Sequence, residues 1–315
     1  MWAVIAALIA NALIAVLKFV AAGVTGSSGL MAEALHSLAD TTNQVFLLLG
    51  LRFYKRPASK KHPFGYGKER FFWSFIAAVF IFGVGATYAL YEGYSKLRHP
   101  QTPENFKWAY WVLGISFLLE TVSIGVAIMQ EMKEARHEGL TFREYLRESK
   151  DPTAKTVIFE DTAALIGIVV ATAGIYLTEH QIGPEKGAYW DGLASMVIGV
   201  VLAVVAFMLA RTSRGLLLGE SATPKSVAAI RRAIVNHPNV CEVVELLTMH
   251  LAPKKILINA HVNFRDELET DDIEKTIRQI ERNIRRAEPM VDMIFLETAR
   301  QSEPGPDEPI PQHIG

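Results

Sequence analysis

Cysteine is almost absent from this sequence. The one present, Cys241, can form no internal disulfide and reads as a small buried side chain in a reducing compartment. An excess of charge of either sign is missing too. The 32 Lys and Arg balance 33 Asp and Glu for a net charge of −1, which argues against nucleic acid as a partner. No H-E-x-x-H motif occurs, which speaks against an intramembrane metalloprotease, and the chain reads as no enzyme. The first apolar run also lacks the basic n-region of a cleaved leader. It carries Lys18 late, with Ala21-Ala22-Gly23 behind it, and reads as a retained span.

Apolar residues are what the chain has in excess. They make up 50% of it, the mean hydropathy is +0.20, and several windows approach the ~20 residues needed to cross a bilayer. Residues 1 to about 210 hold nearly all the long apolar runs, while 220–300 read as a soluble domain. Six transmembrane helices are predicted, at roughly 2–22, 30–52, 70–92, 107–130, 154–178 and 189–210. Trp73 and Trp108, near the starts of the third and fourth, suit interfacial anchors. The domain organisation expected is a six-span transmembrane domain over 1–212, a linker over 213–223, a second domain over 224–299 and a disordered tail over 300–315, rich in proline.

Orientation comes from the loops. Seven Lys and Arg lie between spans two and three, from Arg52 to Arg70, and six between spans four and five, from Lys133 to Lys155. The other loops carry Lys96, Arg98 and Lys107, then Lys186 alone. The positive-inside rule puts both basic loops, both termini and the second domain in the cytoplasm. In a bacterium the host would be the plasma (inner) membrane. The acidic residues mixed into the second basic loop, from Glu131 to Asp151, read as a solvated helical extension with i,i+4 ion pairs.

Two polar residues stand out within the spans. His36 and Asp40, in GLMAEALHSLADTTNQVFLLLGL, are four apart and share one helix face. An ionisable group in hydrocarbon costs several kcal/mol and faces a partner or a polar cavity. The pair is either half of a metal site or a hydrogen bond that packs two helices. Glu160 and Asp161 follow in span five. Asp161 lies ~13 Å along its helix from Pro152, and Asp40 ~15 Å from the outer start of span two. In a hydrocarbon core of ~30 Å both sit near the midplane, and matched depth on separate spans is what a shared site requires.

Adjacent residues point ~100° apart on a helix, so Asp161 is the ligand expected first. Glu160 is a second ligand, a protonated acid, a partner of Lys18 or a proton carrier. Imidazole with carboxylates, and no thiolate in the spans, suits Zn²⁺ first, then Mn²⁺, Fe²⁺ or Co²⁺, with no prosthetic group. Binding requires neutral imidazole and ionised carboxylates, so metal and protons are coupled. Asn11, Asn43, Glu120 and Ser123 either line a path or bind adjacent helices; Gly83, Gly85, Gly192 and Gly199 read as close helix packing.

In the second domain, Val227, Ile230 and Ile234 recur at helical spacing behind Thr223-Pro224, a cap-and-start pair. CEVVELLTMHL reads as a strand, Pro253-Lys254-Lys255 as a turn, and ILINAHVNF as a strand with Ile256, Ile258, Ala260, Val262 and Phe264 on one face. Ile273, Ile277, Ile280 and Ile284 mark a second helix, and VDMIFLETA a last strand. The order αββαβ suits an α+β ferredoxin-like domain able to join two protomers. His250, His261, Glu274 and Glu297 are candidate ligands there, although His261, flanked by Asn259 and Asn263, reads as solvated.

HSLAD in span two, the acidic position in span five and HPFGYGKER after span two resemble the cation diffusion facilitator family. RHP at Arg98–Pro100, WDGLASMVIG opening span six and LLLGESATP after it extend the likeness from Met1 to about Ala299. The resemblance implies six spans, a cytoplasmic ferredoxin-like domain, a homodimer and export of divalent metal by proton antiport. It also implies ligands. His36 and Asp40 match the family motif on span two, and Asp161 the last residue of its HxxxD on span five. Val157 stands where that motif has its His and cannot ligate. VIFEDTAALIG is similar instead to the branch with mitochondrial zinc transporters and their bacterial relatives, where Glu-Asp stands in this region. Of the family's second site only His62 matches, with Ser59 and Tyr66 replacing the others, so no complete site is expected there. Lys68 matches a position of a charge interlock at the family's dimer interface, and the regulatory binuclear cluster of the second domain is mostly absent by residue type.

The expectation is therefore a secondary transporter that exports Zn²⁺ by alternating access, with His36, Asp40, Asp161 and Glu160 on the metal. Protons, the bilayer and a second copy of the chain are its partners. The same fold carrying Mn²⁺, Fe²⁺ or Co²⁺, and a membrane sensor or scaffold that binds metal without moving it, are the alternatives.

Overall fold

The computed structural model describes residues 2–99, 101–137, 139, 141–148, 152–180 and 184–299; the tail expected to be disordered lies outside them. Backbone contacts divide the chain into two compact units between Leu217 and Leu218.

The first unit is helical: α1 (Trp2–Thr25), α2 (Ser28–Tyr54), α3 (Glu69–Phe80), a π-helical turn (Ile81–Ala86), α4 (Thr87–Arg98), α5 (Phe106–His137), α6 (Phe142–Glu148), α7 (Pro152–His180) and α8 (Pro184–Leu218). α3, the π segment and α4 follow one another without a break, and a π turn inside an α-helix often marks a functional region. Among the described residues, four helices are long and apolar enough to cross a membrane: Glu69–Arg98, Phe106–His137, Val157–His180 and Tyr189–Leu218. The apolar part of α1, Asn11–Thr25, is shorter. α2 has the length but is interrupted by Glu33, His36, Asp40 and Asn43. α8 continues as helix to Leu218, through the first residues of the expected linker.

α2 lies at the centre of this unit, in contact with α1, α3, α4 and α7. Its Ala32, Ala34 and Ala39 are fully buried, so neighbouring backbones approach closely. Ser27 caps it by accepting the Leu30 N–H at 3.1 Å. Glycine does the same work between α4 and α8: a Cβ on Gly93 would stand 2.6 Å from Met196 Cγ and 2.7 Å from the Gly192 carbonyl. Gly85 packs on Leu202, but Gly83, expected at a close contact, has nothing within 4 Å of a Cβ position. The π turn points it away from the bundle, and it is exposed.

The second unit runs α9 (Pro224–Val235), β1 (Val240–Ala252), β2 (Lys255–Phe264), α10 (Thr270–Ala287) and β3 (Val291–Thr298). Thr223 accepts the Ser226 N–H at 3.2 Å, and Pro224 opens the helix behind it. The sheet order is β1-β2-β3, with β1 antiparallel and β3 parallel to β2. Ile256, Ile258, Ala260 and Val262 are fully buried on one face of β2, against Ile230, Ile234, Ile280 and Ile284 of the two helices. Cys241, read from sequence as buried, is exposed. The register of β1 shifts between Val240 and Glu242, and this bulge turns Cys241 away from the core.

Candidate metal centre

Asp40 and Asn43 are three apart on α2 and share a face, while Glu160 and Asp161 sit one helical step apart on α7. Together they line one cavity of about 60 Å³, enough for an ion with a few waters. Asn11, Glu120 and Ser123 line it too, so all four residues left open between path and packing reach this space. Two of them also bond across helices. Asn43 Nδ2 donates to Glu160 Oε2 at 2.5 Å, and Ser123 Oγ to Asp161 Oδ2 at 3.0 Å. Val157 forms part of the wall, an apolar surface at the position where the family motif carries a His.

His36 is buried behind Asp40, 1% exposed, with Nε2 3.5 Å from Asp40 Oδ2. It does not line the cavity itself. Among the described residues, no three His, Cys, Asp or Glu side chains stand close enough together to hold a metal ion as they are. What α2 and α7 bring together is three carboxylates around one space, with an imidazole one step behind.

Lys18, offered from sequence as a partner of Glu160, pairs instead with Glu33. Its Nζ lies 3.0 Å from Glu33 Oε2, both side chains fully buried. The cause is helix pairing: α1 packs along α2, which sets Lys18 opposite Glu33, and Glu160 takes the Asn43 amide. Glu33 was not singled out from sequence, although it stands three residues before His36 on the same helix face. Asp191 of the WDGLASM string was noted only as part of a motif. It is fully buried and accepts from the Ser27 and Ser28 hydroxyls at 2.5 and 3.0 Å and from the Ser28 and Gly29 N–H groups at 2.7 and 3.2 Å.

After α2, the three residues at the family's second site do cluster. His62 Nδ1 lies 3.1 Å from the Tyr66 hydroxyl, and Ser59 Oγ 3.2 Å from the same oxygen. Two neutral hydroxyls stand in for the other ligands of that site. Lys68 Nζ donates to the Leu217 carbonyl at 3.2 Å. In the second unit, strand register sets Glu245 and Glu297 on either side of His261, whose ring nitrogens lie 3.3 Å from each carboxylate. His261 is thus held between two acids rather than freely solvated. His250 is buried, Glu274 pairs with Arg278 on α10, and His261 meets Glu297.

Residues 4–218 match the family model of the cation efflux transmembrane domain, and 222–296 that of the cation efflux protein cytoplasmic domain. The chain is 33% identical over 284 residues to the human mitochondrial proton-coupled zinc antiporter SLC30A9, covering 88% of this chain and 49% of that protein. Metal tolerance protein C4 of Arabidopsis thaliana is 34% identical over 266 residues, 84% of this chain and 57% of the relative. The metal cation efflux system protein CzcD of Cupriavidus metallidurans is 24% identical over 238 residues, 76% and 68% of the two chains. The chain thus spans about half the length of SLC30A9. With a transmembrane-domain match over more than half its residues, the chain belongs to the cation efflux, or cation diffusion facilitator, family.

Proposed function

We propose that this protein is a secondary transporter exporting divalent metal, Zn²⁺ first, in exchange for protons. The observation that carries the reading is the convergence of Asp40, Glu160 and Asp161 on one cavity within an apolar helical unit, with His36 behind Asp40. Carboxylates in such surroundings demand a cation or protons, and the two compete for the same oxygens. Loading requires the side chains to close on the ion. Glu160 gives up its bond from Asn43, Asp161 its bond from Ser123, and His36 swings its Nε2 from beside Asp40 into the cavity. Protons on the same groups replace the ion and restore those contacts. With Val157 at the usual His position the donor set is rich in oxygen, which keeps Mn²⁺, Fe²⁺ and Co²⁺ as competing substrates.

The reading places six helices in the bilayer, α1 and α2 included, because α2 carries half of the site. Both termini and the second unit face the cytoplasm, by the basic loops. That unit, with its αββαβ order, is a ferredoxin-like domain joining two copies of the chain, and its domain boundary falls near residue 218. Metal enters from the cytoplasm, and rocking of the helices around a midplane site releases it on the far side. The similarity to a protein named as a proton-coupled zinc antiporter supports both the ion and the exchange.

Proteoliposomes holding a zinc-sensitive dye test this directly. Zn²⁺ flux driven by a proton gradient is expected from the intact chain and lost in Asp40→Ala and Asp161→Ala. Unaltered flux in both variants overturns the proposal, and binding without flux in the intact chain identifies a sensor.

A further inference from the structure

The buried pair of Lys18 and Glu33 lies outside the cavity, yet it stands next to the site. Glu33 and His36 are three apart on α2 and share a face, and Asp40 follows one turn later. Glu33 and Lys18 are both fully buried. Lys18 takes only one of the two carboxylate oxygens, Oε2. Among the described residues, Glu33 Oε1 has no hydrogen-bond partner, and neither ring nitrogen of His36 has one. An unfilled acceptor and an unpartnered ring nitrogen thus share one helix face, three residues apart and not hydrogen-bonded to each other in this structure, and Nε2 of the imidazole is already on the Asp40 side.

The same free oxygen of Glu33 also meets α7. A Cβ on Gly167 of α7 would collide with Glu33 Oε1. The carboxylate therefore rests against the backbone of α7, the helix that carries Glu160 and Asp161, while its other oxygen is tied to α1.

We propose that Glu33 is the positioning carboxylate of the metal site, accepting the Nδ1–H of His36 and thereby presenting Nε2 to the ion, with Lys18 holding Glu33 in place. This rests on the transport reading above, in which His36 is a ligand. A metal-bound imidazole that donates its second N–H to a carboxylate is fixed in tautomer and ring orientation, and loss of that partner costs 10–100-fold in metal affinity. Glu33 and Lys18 touch the ion in neither step; they act through His36.

The test is Zn²⁺ and Co²⁺ titration of the full-length protein in detergent, with the Co²⁺ absorption bands as a report on ligand geometry. Lys18→Met combined with Glu33→Leu removes the pair without leaving a lone buried charge. This folded double variant is expected to bind Zn²⁺ about 10–100-fold more weakly and to shift the Co²⁺ bands, while Lys18→Arg keeps both near those of the intact chain. Wild-type affinity and bands in the double variant overturn the proposal and leave the pair as helix packing. Should the double variant fail to fold, Gly167→Ala decides, because it keeps both charges and displaces the Glu33 carboxylate. The same loss is expected there, and unchanged affinity overturns the proposal. His36→Ala separates the two readings: if it leaves Zn²⁺ binding intact, the metal site itself is misassigned and the positioning role falls with it.

Discussion

Lys96 sets its ammonium 2.8 Å from Asp191 Oδ2, in a pair only 5% and 0% exposed at the side chains. The same ammonium also donates to the Gly26 carbonyl, and Asp191 takes the hydroxyls and N–H groups at the start of α2. One carboxylate of α8 therefore joins α4 to the turn between α1 and α2. Asp191→Ala removes the acceptor for all these donors and strands a buried ammonium. A loss on the order of 3–5 kcal/mol is expected, measured as a lower melting temperature of the purified protein. Lys96→Met combined with Asp191→Leu should recover part of it.

Gly93→Ala should separate α4 from α8. The added methyl would meet the Gly192 carbonyl at 2.7 Å and the Met196 nitrogen at 2.9 Å, both of them backbone atoms that cannot swing aside. A cost of about 1–3 kcal/mol is expected, read by thermal unfolding, with Gly83→Ala as the silent comparison because nothing lies within 4 Å of its Cβ position.

Acid should weaken metal loading. At the proposed site Zn²⁺ would need an unprotonated imidazole and ionised carboxylates at His36, Asp40 and Asp161, so the proton-poor form would be the binding form. Each proton that must leave weakens apparent Zn²⁺ affinity by up to about tenfold per pH unit of acidification. Equilibrium Zn²⁺ titrations across a pH series check the sign and the number of protons exchanged. Affinity that does not change with pH would contradict proton exchange at these groups.

Val157→His restores an imidazole donor to the cavity wall, one turn before Asp161. It is expected to tighten Zn²⁺ relative to Mn²⁺, because imidazole favours the softer ion. Competition between the two metals for the purified protein measures the shift.

Ile258→Ala should loosen the second unit alone. Ile258 is fully buried at the centre of β2, between β1 and β3. Removing its side chain is expected to cost about 2–5 kcal/mol, visible as faster amide exchange in β1, β2 and β3 with the helices of the first unit unchanged.

Much of this architecture was legible from residue order because it depends on short-range periodicity. The alternation from Ile256 to Phe264 names the buried face of β2 without reference to any other element. Thr223-Pro224 marks a helix start through its own backbone chemistry. Cys241 was misread because a bulge shifts the register locally, and no composition rule announces a bulge. His261 was misread because its carboxylate partners come from two other strands, Glu245 on β1 and Glu297 on β3.

The sequence by itself determined where apolar runs are long enough for helices and that His36 and Asp40 share a face, since both follow from the geometry of a single helix. Only the tertiary structure decided which buried charges meet. Lys18 finds Glu33 at a separation of 15 residues, Asn43 finds Glu160 at 117, and Ser28 finds Asp191 at 163. Those pairings depend on which helices cross and at what height, and a buried polar group takes whichever partner the crossing brings within reach.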